Sequence, residues 1–207
     1  MLLMHVIGVT GNIGSGKSTV CHMLERRGCH VIDADVQAHE TYRRGTTVWR
    51  GILNAFGAEV LGPDGGVDRT ALGKRVFCDA AARERLNALV HPATKRRVQR
   101  LLAGFRTQGY DCAAVEATLL IEAGWQRMVN SIWLVASPEA LVIDRLGRDR
   151  HQPGPESKAR IAAQMPAIEK MEHADDIIYN DGGIEELEAR VEQLWQGLMA
   201  PIEPPRG

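Results

Sequence analysis

Eight residues near the N-terminus constrain the fold of this chain more than any other feature of the sequence. They are Gly11-Asn12-Ile13-Gly14-Ser15-Gly16-Lys17-Ser18, which match the pattern G-x-x-x-x-G-K-[ST]. An apolar run, His5 to Val9, precedes the motif, and a stretch with helical spacing, Ser18 to Arg27, follows it. A strand, a loop and a helix in this order are the context that a phosphate-binding loop requires, so we predict a P-loop.

Each part of this loop has a chemical reason. Glycines let the backbone turn so that successive N–H groups face phosphate oxygens, and the positive end of the following helix adds to that field. We predict that Lys17 neutralises charge on the β- and γ-phosphates, and that the Ser18 hydroxyl ligates a Mg²⁺ ion held mostly by phosphates and water. The predicted ATP contacts are Asn12, Ile13, Gly14, Ser15, Gly16, Lys17, Ser18 and Thr19.

The other apolar runs predict an α/β protein. A run from Cys29 to Ile32 completes a βαβ unit, and further strands are expected at 112–117, 131–135 and 176–179. We therefore predict an α/β three-layer fold of the P-loop NTPase/kinase type with a five-stranded parallel sheet. Its core would comprise residues 1–33 and 110–200, with a lid at about 145–160 and a flexible tail at 201–207.

Residues 34–109 carry almost no strand signal and predict a helical insertion that binds the substrate. Asp68 and Asp79 are expected to cap helices there. Pro92 should separate two of the helices and so place His91 at a helix end. The predicted helices of the insertion span 36–43, 48–56, 70–77, 81–90 and 93–105.

Composition excludes several classes of function. The chain has 207 residues and a net charge of −1, so there is no general basic field to attract nucleic acid. Its four cysteines form no CxxC pair, which favours a reduced compartment, and no apolar stretch approaches the ~18 residues of a membrane helix. We predict a cytoplasmic protein without nucleic-acid or membrane partners.

Two carboxylates indicate which kind of P-loop protein this is. Asp33 and Asp35 follow the second predicted strand, whereas a switch GTPase would need a D-x-x-G directly after a strand and an N-K-x-D motif, and neither is found. Ligands of open α/β sheets bind beyond the carboxyl ends of the strands, so Asp33 is expected near the P-loop. It could accept a proton from an attacking hydroxyl, as in a small-molecule kinase, although either aspartate could instead cap the next helix.

Several separated stretches resemble the dephospho-CoA kinase family over roughly residues 5 to 195. The P-loop alone is generic, but the other stretches are specific in their order along the chain. They are Val31-Ile32-Asp33-Ala34-Asp35, Val67-Asp68-Arg69-Thr70-Ala71-Leu72, Leu89-Val90-His91-Pro92, Leu119-Leu120-Ile121-Glu122, Ala162-Ala163-Gln164-Met165 and Ala174-Asp175-Asp176-Ile177-Ile178.

The resemblance implies transfer of the ATP γ-phosphate to the ribose 3′-hydroxyl of dephospho-CoA, the last step of CoA biosynthesis. On this reading Asp33 is the base, Asn180 lies against the adenine, and an arginine of the lid, Arg148 or Arg150, stabilises the transferring phosphoryl group. The implied partners are ATP and dephospho-CoA, and we expect a monomer or weak homo-oligomer. The implied acceptor-binding residues are Thr10, Asp35, His91, Lys95, Leu119 and Glu122.

The chain departs from the family pattern in four places. Asn12 stands where glycine is usual, Thr118 where proline is usual, and Lys95 where arginine is expected. In the lid, counting back from Arg160 places the family's arginine on Asp149, and a shift of one residue places it on Arg148 or Arg150.

Two alternatives remain at this stage. The chain could be a P-loop kinase of a nucleoside or another small metabolite, or a P-loop regulator that binds ATP and a protein partner without phosphoryl transfer. The acidic pair after strand two disfavours the regulator.

Overall fold

A computed structural model describes residues 4–77, 79–150 and 154–200, without the side chains of Phe77, Asp149, Arg150 and Glu156. The described residues fall into two compact units. Unit 1 falls within Met1–Val31 and Gly109–Gly207, and unit 2 is Ile32–Gln108. The predicted tail at 201–207 lies outside the described residues.

Five strands form one sheet in the order β2-β3-β1-β4-β5. β1 pairs in parallel with β3 and with β4, and β4 pairs in parallel with β5, so the carboxyl ends of these strands meet at one edge. The α/β class and the five-stranded sheet predicted from the sequence are therefore confirmed. The strands are β1 (His5–Thr10), β2 (His30–Asp33), β3 (Cys112–Glu116), β4 (Ser131–Ala136) and β5 (Asp176–Tyr179).

The described residues form nine α-helices and two short 3₁₀ turns, at Ala58–Val60 and Gln126–Met128. Among these residues, no helix combines the length and the apolar character that crossing a bilayer would need. The α-helices are α1 (Lys17–Glu25), α2 (Ala34–Thr41), α3 (Thr47–Phe56), α4 (Arg69–Phe77), α5 (Ala80–Thr107), α6 (Glu139–Arg150), α7 (Gly154–Ala162), α8 (Ala167–Met171) and α9 (Ile184–Met199).

The core of unit 1 lies where α1 and α9 pack against each other and against the sheet. Trp133 of β4 lies in this core and is only 1% exposed. Apolar residues of both helices, among them Val20, Leu24 and Val191, belong to the same cluster and are fully buried. Burial of this many apolar side chains fixes the strand ends, and therefore the loops that follow them, in a rigid frame.

Unit 2 has a helical core of its own, built on Ile52, Phe56 and Leu72. Its helices begin at side-chain caps. Asp68 accepts hydrogen bonds from the backbone at the start of α4, and Asp79 accepts one from Ala82 N at the start of α5, as predicted.

One prediction for unit 2 is wrong. The stretches expected as separate helices at 81–90 and 93–105 form one helix of 28 residues, α5, with Pro92 inside it. His91 therefore lies within a helix and not at its end. Buried residues on both sides of the proline, Val90 and Val98, anchor the helix, and this packing outweighs the preference of proline for a helix boundary.

Candidate active site

The P-loop connects β1 to α1, and its shape depends on glycines. Gly11 has a φ of 145° and Gly16 a φ of 100°, angles that residues with a side chain rarely adopt. Space is also lacking, because a Cβ atom would lie 2.3 Å from the carbonyl oxygen of Val135 at Gly11 and 2.2 Å from Nδ2 of Asn180 at Gly16. Glycine is thus required at both positions, because the backbone φ is positive and because a Cβ atom would clash with its neighbours.

Polar groups of the loop are buried and partly unsatisfied. The Ser15 side chain is 1% exposed, and its hydroxyl has no hydrogen-bond partner among the described residues. Lys17 is 7% exposed, and its Nζ donates to the carbonyl oxygen of Asn12, 3.1 Å away, across the loop. A buried hydroxyl donor and a buried cation at the start of a helix form a site that suits a bound phosphate.

The Ser18 hydroxyl, the predicted metal ligand, donates to Oε1 of Glu116 at 2.7 Å. Glu116 is the last residue of β3 and pairs in register with Val9 of β1, one strand away from the loop. Burial raises the pKa of the Cys21 thiol, and the nearby negative charge of Glu116 raises it further. A hydroxyl and a carboxylate side by side supply the hard oxygen ligands that Mg²⁺ takes, so these residues fit the predicted metal.

Sequence reasoning missed Glu116, although a signal was present. The apolar run Cys112 to Val115 ends directly in this carboxylate. The adjacency of β3 to β1 gives this carboxylate its place beside Ser18.

Asp33 is the N-cap of α2. Its Oδ1 accepts hydrogen bonds from the backbone N–H groups of Asp35, at 2.8 Å, and Val36, at 3.0 Å. The capping role that was allowed for either aspartate thus belongs to Asp33, whereas Asp35 is exposed in the first turn of the helix. Both bonds use the same oxygen, so capping also fixes the orientation of the carboxylate.

Two predicted acceptor residues of unit 2 lie on one face of α5. His91 and Lys95 are four positions apart in the continuous helix, which places them one turn from each other. Burial lowers the pKa of His91 below its ordinary value. The imidazole is therefore biased toward its neutral form, which can both donate and accept a hydrogen bond.

Three other predicted acceptor residues belong to unit 1. Leu119 and Glu122 lie in the turn that follows β3, and Thr10, at the end of β1, is fully buried with its hydroxyl 3.5 Å from the carbonyl oxygen of Thr118 in that turn. The structure thus brings Thr10 and the turn together.

Asn180, predicted to lie against the adenine, is bonded to the P-loop. Its Nδ2 donates to the carbonyl oxygen of Ser15 at 2.8 Å, and its backbone N–H donates to Ala136 at 2.7 Å. The guanidinium of Arg145 donates to the carbonyl and side-chain oxygens of Asn180, and to the Ser137 hydroxyl. Asn180 therefore joins the loop to the ends of β4 and β5 and to α6.

The lid arginines are only partly described. Arg148 pairs with Asp144 at 2.8 Å on an exposed face of α6, and the side chain of Arg150 lies outside the described residues. A third arginine of the segment, Arg145, was not predicted, yet it is linked to the P-loop through Asn180. Its signal in the sequence was only its position in the arginine-rich stretch.

The loop, its buried lysine and the parallel sheet define a P-loop nucleotide-binding protein. The chain belongs to the dephospho-CoA kinase family, whose model matches residues 5–186. A dephospho-CoA kinase of Geobacter sulfurreducens is 44% identical to it over 93% of this chain and 98% of the relative. One from Anaeromyxobacter dehalogenans is 39% identical over 98% and 99% of the two chains.

Two solved structures share the fold of this chain. TT1252 from Thermus thermophilus superposes with a TM-score of 0.80 at 33% identity, over 95% of this chain and 99% of that one. A dephospho-CoA kinase from Campylobacter jejuni, with a TM-score of 0.70 at 23% identity over 95% and 98% of the two chains, shares the fold. The family confirms the predicted activity class, an ATP-dependent kinase of CoA biosynthesis that phosphorylates dephospho-CoA, and the predicted P-loop kinase fold.

Proposed function

We propose that this chain transfers the γ-phosphoryl group of ATP directly to the ribose 3′-hydroxyl of dephospho-CoA, without a phospho-enzyme. The observation that carries the proposal is the intact P-loop, with Lys17 buried in it and Ser18 beside Glu116, in a chain of this family. Phosphoryl transfer depends mainly on positioning and on charge neutralisation, and these residues supply both.

The nucleotide would be held by the backbone of residues 12–19, with Lys17 beside the β- and γ-phosphates. Ser18 and Glu116 would hold Mg²⁺, which when bound neutralises charge on the phosphates. Asn180 would stabilise the loop through its hydrogen bond to the Ser15 carbonyl. Its position against the adenine stays a prediction. Arg148 or Arg150 would close over the phosphates as part of a lid at about 145–160.

We assign Thr10, Asp35, His91, Lys95, Leu119 and Glu122 to contacts with dephospho-CoA, and residues 34–109 to the substrate lobe. Asp33 would accept the proton of the 3′-hydroxyl as the phosphoryl group is transferred. Because its Oδ1 is fixed by the cap of α2, the carboxylate has a defined orientation for this step.

The reaction is tested by ADP release in a coupled assay with dephospho-CoA as acceptor, against nucleosides, nucleoside monophosphates and shikimate. We expect release that depends on dephospho-CoA, with the new phosphate at the 3′ position by ³¹P and ¹H NMR of the product. Faster release with any of the other acceptors, or none with dephospho-CoA, would refute the acceptor assignment while leaving a P-loop kinase.

The base is tested with Asp33→Asn, a change that is well matched to this site because asparagine caps helices as well as aspartate does. Stability should therefore be retained and ATP should still bind, while turnover falls by about 10²-fold or more through loss of the general base. Asp68→Asn, the same change at the cap of α4, serves as control and should leave turnover unaltered. Equal turnover in the two variants would remove the base assignment.

We also propose a cytoplasmic location and a monomer or weak homo-oligomer. The support is the near-neutral charge and the free, buried thiols of Cys21, Cys29 and Cys112, which suit a reduced compartment. Light scattering after gel filtration measures the mass, and a stable, concentration-independent oligomer would contradict the second statement.

A further inference from the structure

Unit 1 contains a lysine that no step of the proposed reaction uses. Lys170, in α8, is 0% exposed, and a fully buried lysine is rare because its charge must be removed from water. Its Nζ donates to the carbonyl oxygen of Thr118 at 2.8 Å and lies 3.0 Å from Oε1 of Glu122. The ammonium group thus holds both ends of one short segment, Thr118 to Glu122.

This segment, which we call the acceptor turn, follows β3 and carries Leu119. Its first carbonyl, that of Thr118, accepts from Lys170 and also from the hydroxyl of Thr10, at the end of β1. The side chain of Glu122, 21% exposed, is held at the other end. Lys170 is therefore the group that connects the two ends of the turn.

The same stretch of chain also reaches the phosphate loop. The backbone N–H of Met165 lies 3.4 Å from Oε1 of Glu122, and Oε1 of the preceding residue, Gln164, accepts a hydrogen bond from Ile13 N at 3.0 Å. One segment, Gln164 to Lys170, thus contacts the P-loop through its first residue and the acceptor turn through its last.

Stability alone is a weak reason for such a lysine. Replacing a buried ion pair by apolar residues often leaves stability unchanged or raises it, because desolvation of the charges offsets their attraction. Two hydrogen bonds of a charged donor do, however, hold a turn in one geometry. A rigid turn next to the P-loop is what a reaction that depends on positioning needs.

We propose that Lys170 is a positioning residue, which holds the acceptor turn in the geometry that binds dephospho-CoA, while Gln164 does the same for the P-loop and ATP. This inference rests on the proposed function, in which the turn contacts the acceptor. Lys170 touches neither substrate in this scheme and acts through Thr118 and Glu122.

The test compares Lys170→Met, Glu122→Gln and the double variant. Gln164→Ala is a second probe. Lys74→Met, which changes an exposed lysine of α4, is the control. In Lys170→Met we expect the KM for dephospho-CoA to rise about tenfold, the size that loss of a charge-assisted hydrogen bond gives. Its KM for ATP should stay unchanged. Gln164→Ala should show the reverse pattern, with a raised KM for ATP.

The double variant separates positioning from stability. Lys170→Met leaves the Glu122 carboxylate without its cation, so Tm should fall, and adding Glu122→Gln should recover Tm because that charge is gone. The KM for dephospho-CoA should remain above that of Glu122→Gln alone, since the Thr118 carbonyl still lacks its charged donor and keeps only the long contact with Thr10. Recovery of this KM together with Tm, or equal effects on both substrates, would overturn the proposal.

The wild-type enzyme distinguishes the two levels of inference. If it shows no ADP release with dephospho-CoA, the proposed function and the role of Lys170 fall together. If it is active and Lys170→Met behaves as Lys74→Met does, only the role of Lys170 falls. If Lys170→Met does not fold, the comparison of the double variant with Glu122→Gln decides.

Discussion

Replacing Asn180 by alanine tests whether this residue supports the phosphate loop. The change removes the Nδ2 donor to the Ser15 carbonyl, a buried bond of 2.8 Å, and frees the space next to Gly16 that the amide now fills. The backbone N–H of Asn180 donates to the Ala136 carbonyl, and its backbone carbonyl accepts from the Ser137 hydroxyl. These two bonds do not depend on the Asn180 side chain and should persist. The change therefore affects the loop and one bond from Arg145.

The cost can be worked out from these contacts. Leaving the Ser15 carbonyl without its donor costs about 1–3 kcal/mol. The lost bond from Arg145 to Oδ1 is long, 3.3 Å, and Arg145 keeps its other two acceptors, so that loss adds little. Because ATP must then impose the loop geometry itself, a cost near 1.4 kcal/mol raises the KM for ATP about tenfold.

The assay measures the KM for ATP at saturating dephospho-CoA, and the Kd of a non-hydrolysable ATP analogue by calorimetry. Asn130→Ala is a matched control, because its Oδ1 accepts from the Val6 backbone at 2.8 Å just before β4, at the end of the strand away from the loop. Both variants should lose stability, but only Asn180→Ala should bind ATP more weakly. Equal ATP affinity in the two variants would refute the reasoning.

Two further predictions concern the metal and the effect of pH. Glu116→Gln should raise the Mg²⁺ concentration needed for half-maximal turnover, since a carboxylate beside Ser18 is lost; an unchanged Mg²⁺ titration would contradict its role. Burial lowers the folded-state pKa of His91 below 6.5, so its contribution to stability is present above that pH and lost as pH falls through the lowered pKa. His91→Gln should therefore show a smaller fall in Tm on acidification than the wild type, and equal slopes would contradict this.

The features that could be predicted from the sequence are those encoded locally. The P-loop is a contiguous pattern, and the strands are short apolar runs bounded by turn residues. The caps at Asp68 and Asp79 also depend only on residues two or three positions further on. Such signals need no knowledge of which elements become neighbours.

The features that were missed depend on neighbours distant in sequence. Glu116 gains its place beside Ser18 only because β3 pairs with β1, and Lys170 reaches Thr118 across 52 positions. Asn180 was associated with the nucleotide, but its bond to Ser15 spans 165 positions. No periodicity or propensity reports such contacts, because tertiary packing creates them.

The proline inside α5 also bears on how unit 2 can move. Pro92 has no N–H to donate to the carbonyl of Ala88, so the helix lacks one backbone hydrogen bond midway along its length. Helices bend most readily where such a bond is missing. His91 and Lys95 flank this point, so the two halves of α5 can flex about it and change the spacing of the two side chains while the packing at both ends of the helix stays intact. Amide hydrogen exchange should then be fastest in the turn around Pro92 and slow at Val98 and Leu102, which places a hinge at the centre of the lobe proposed to receive the acceptor.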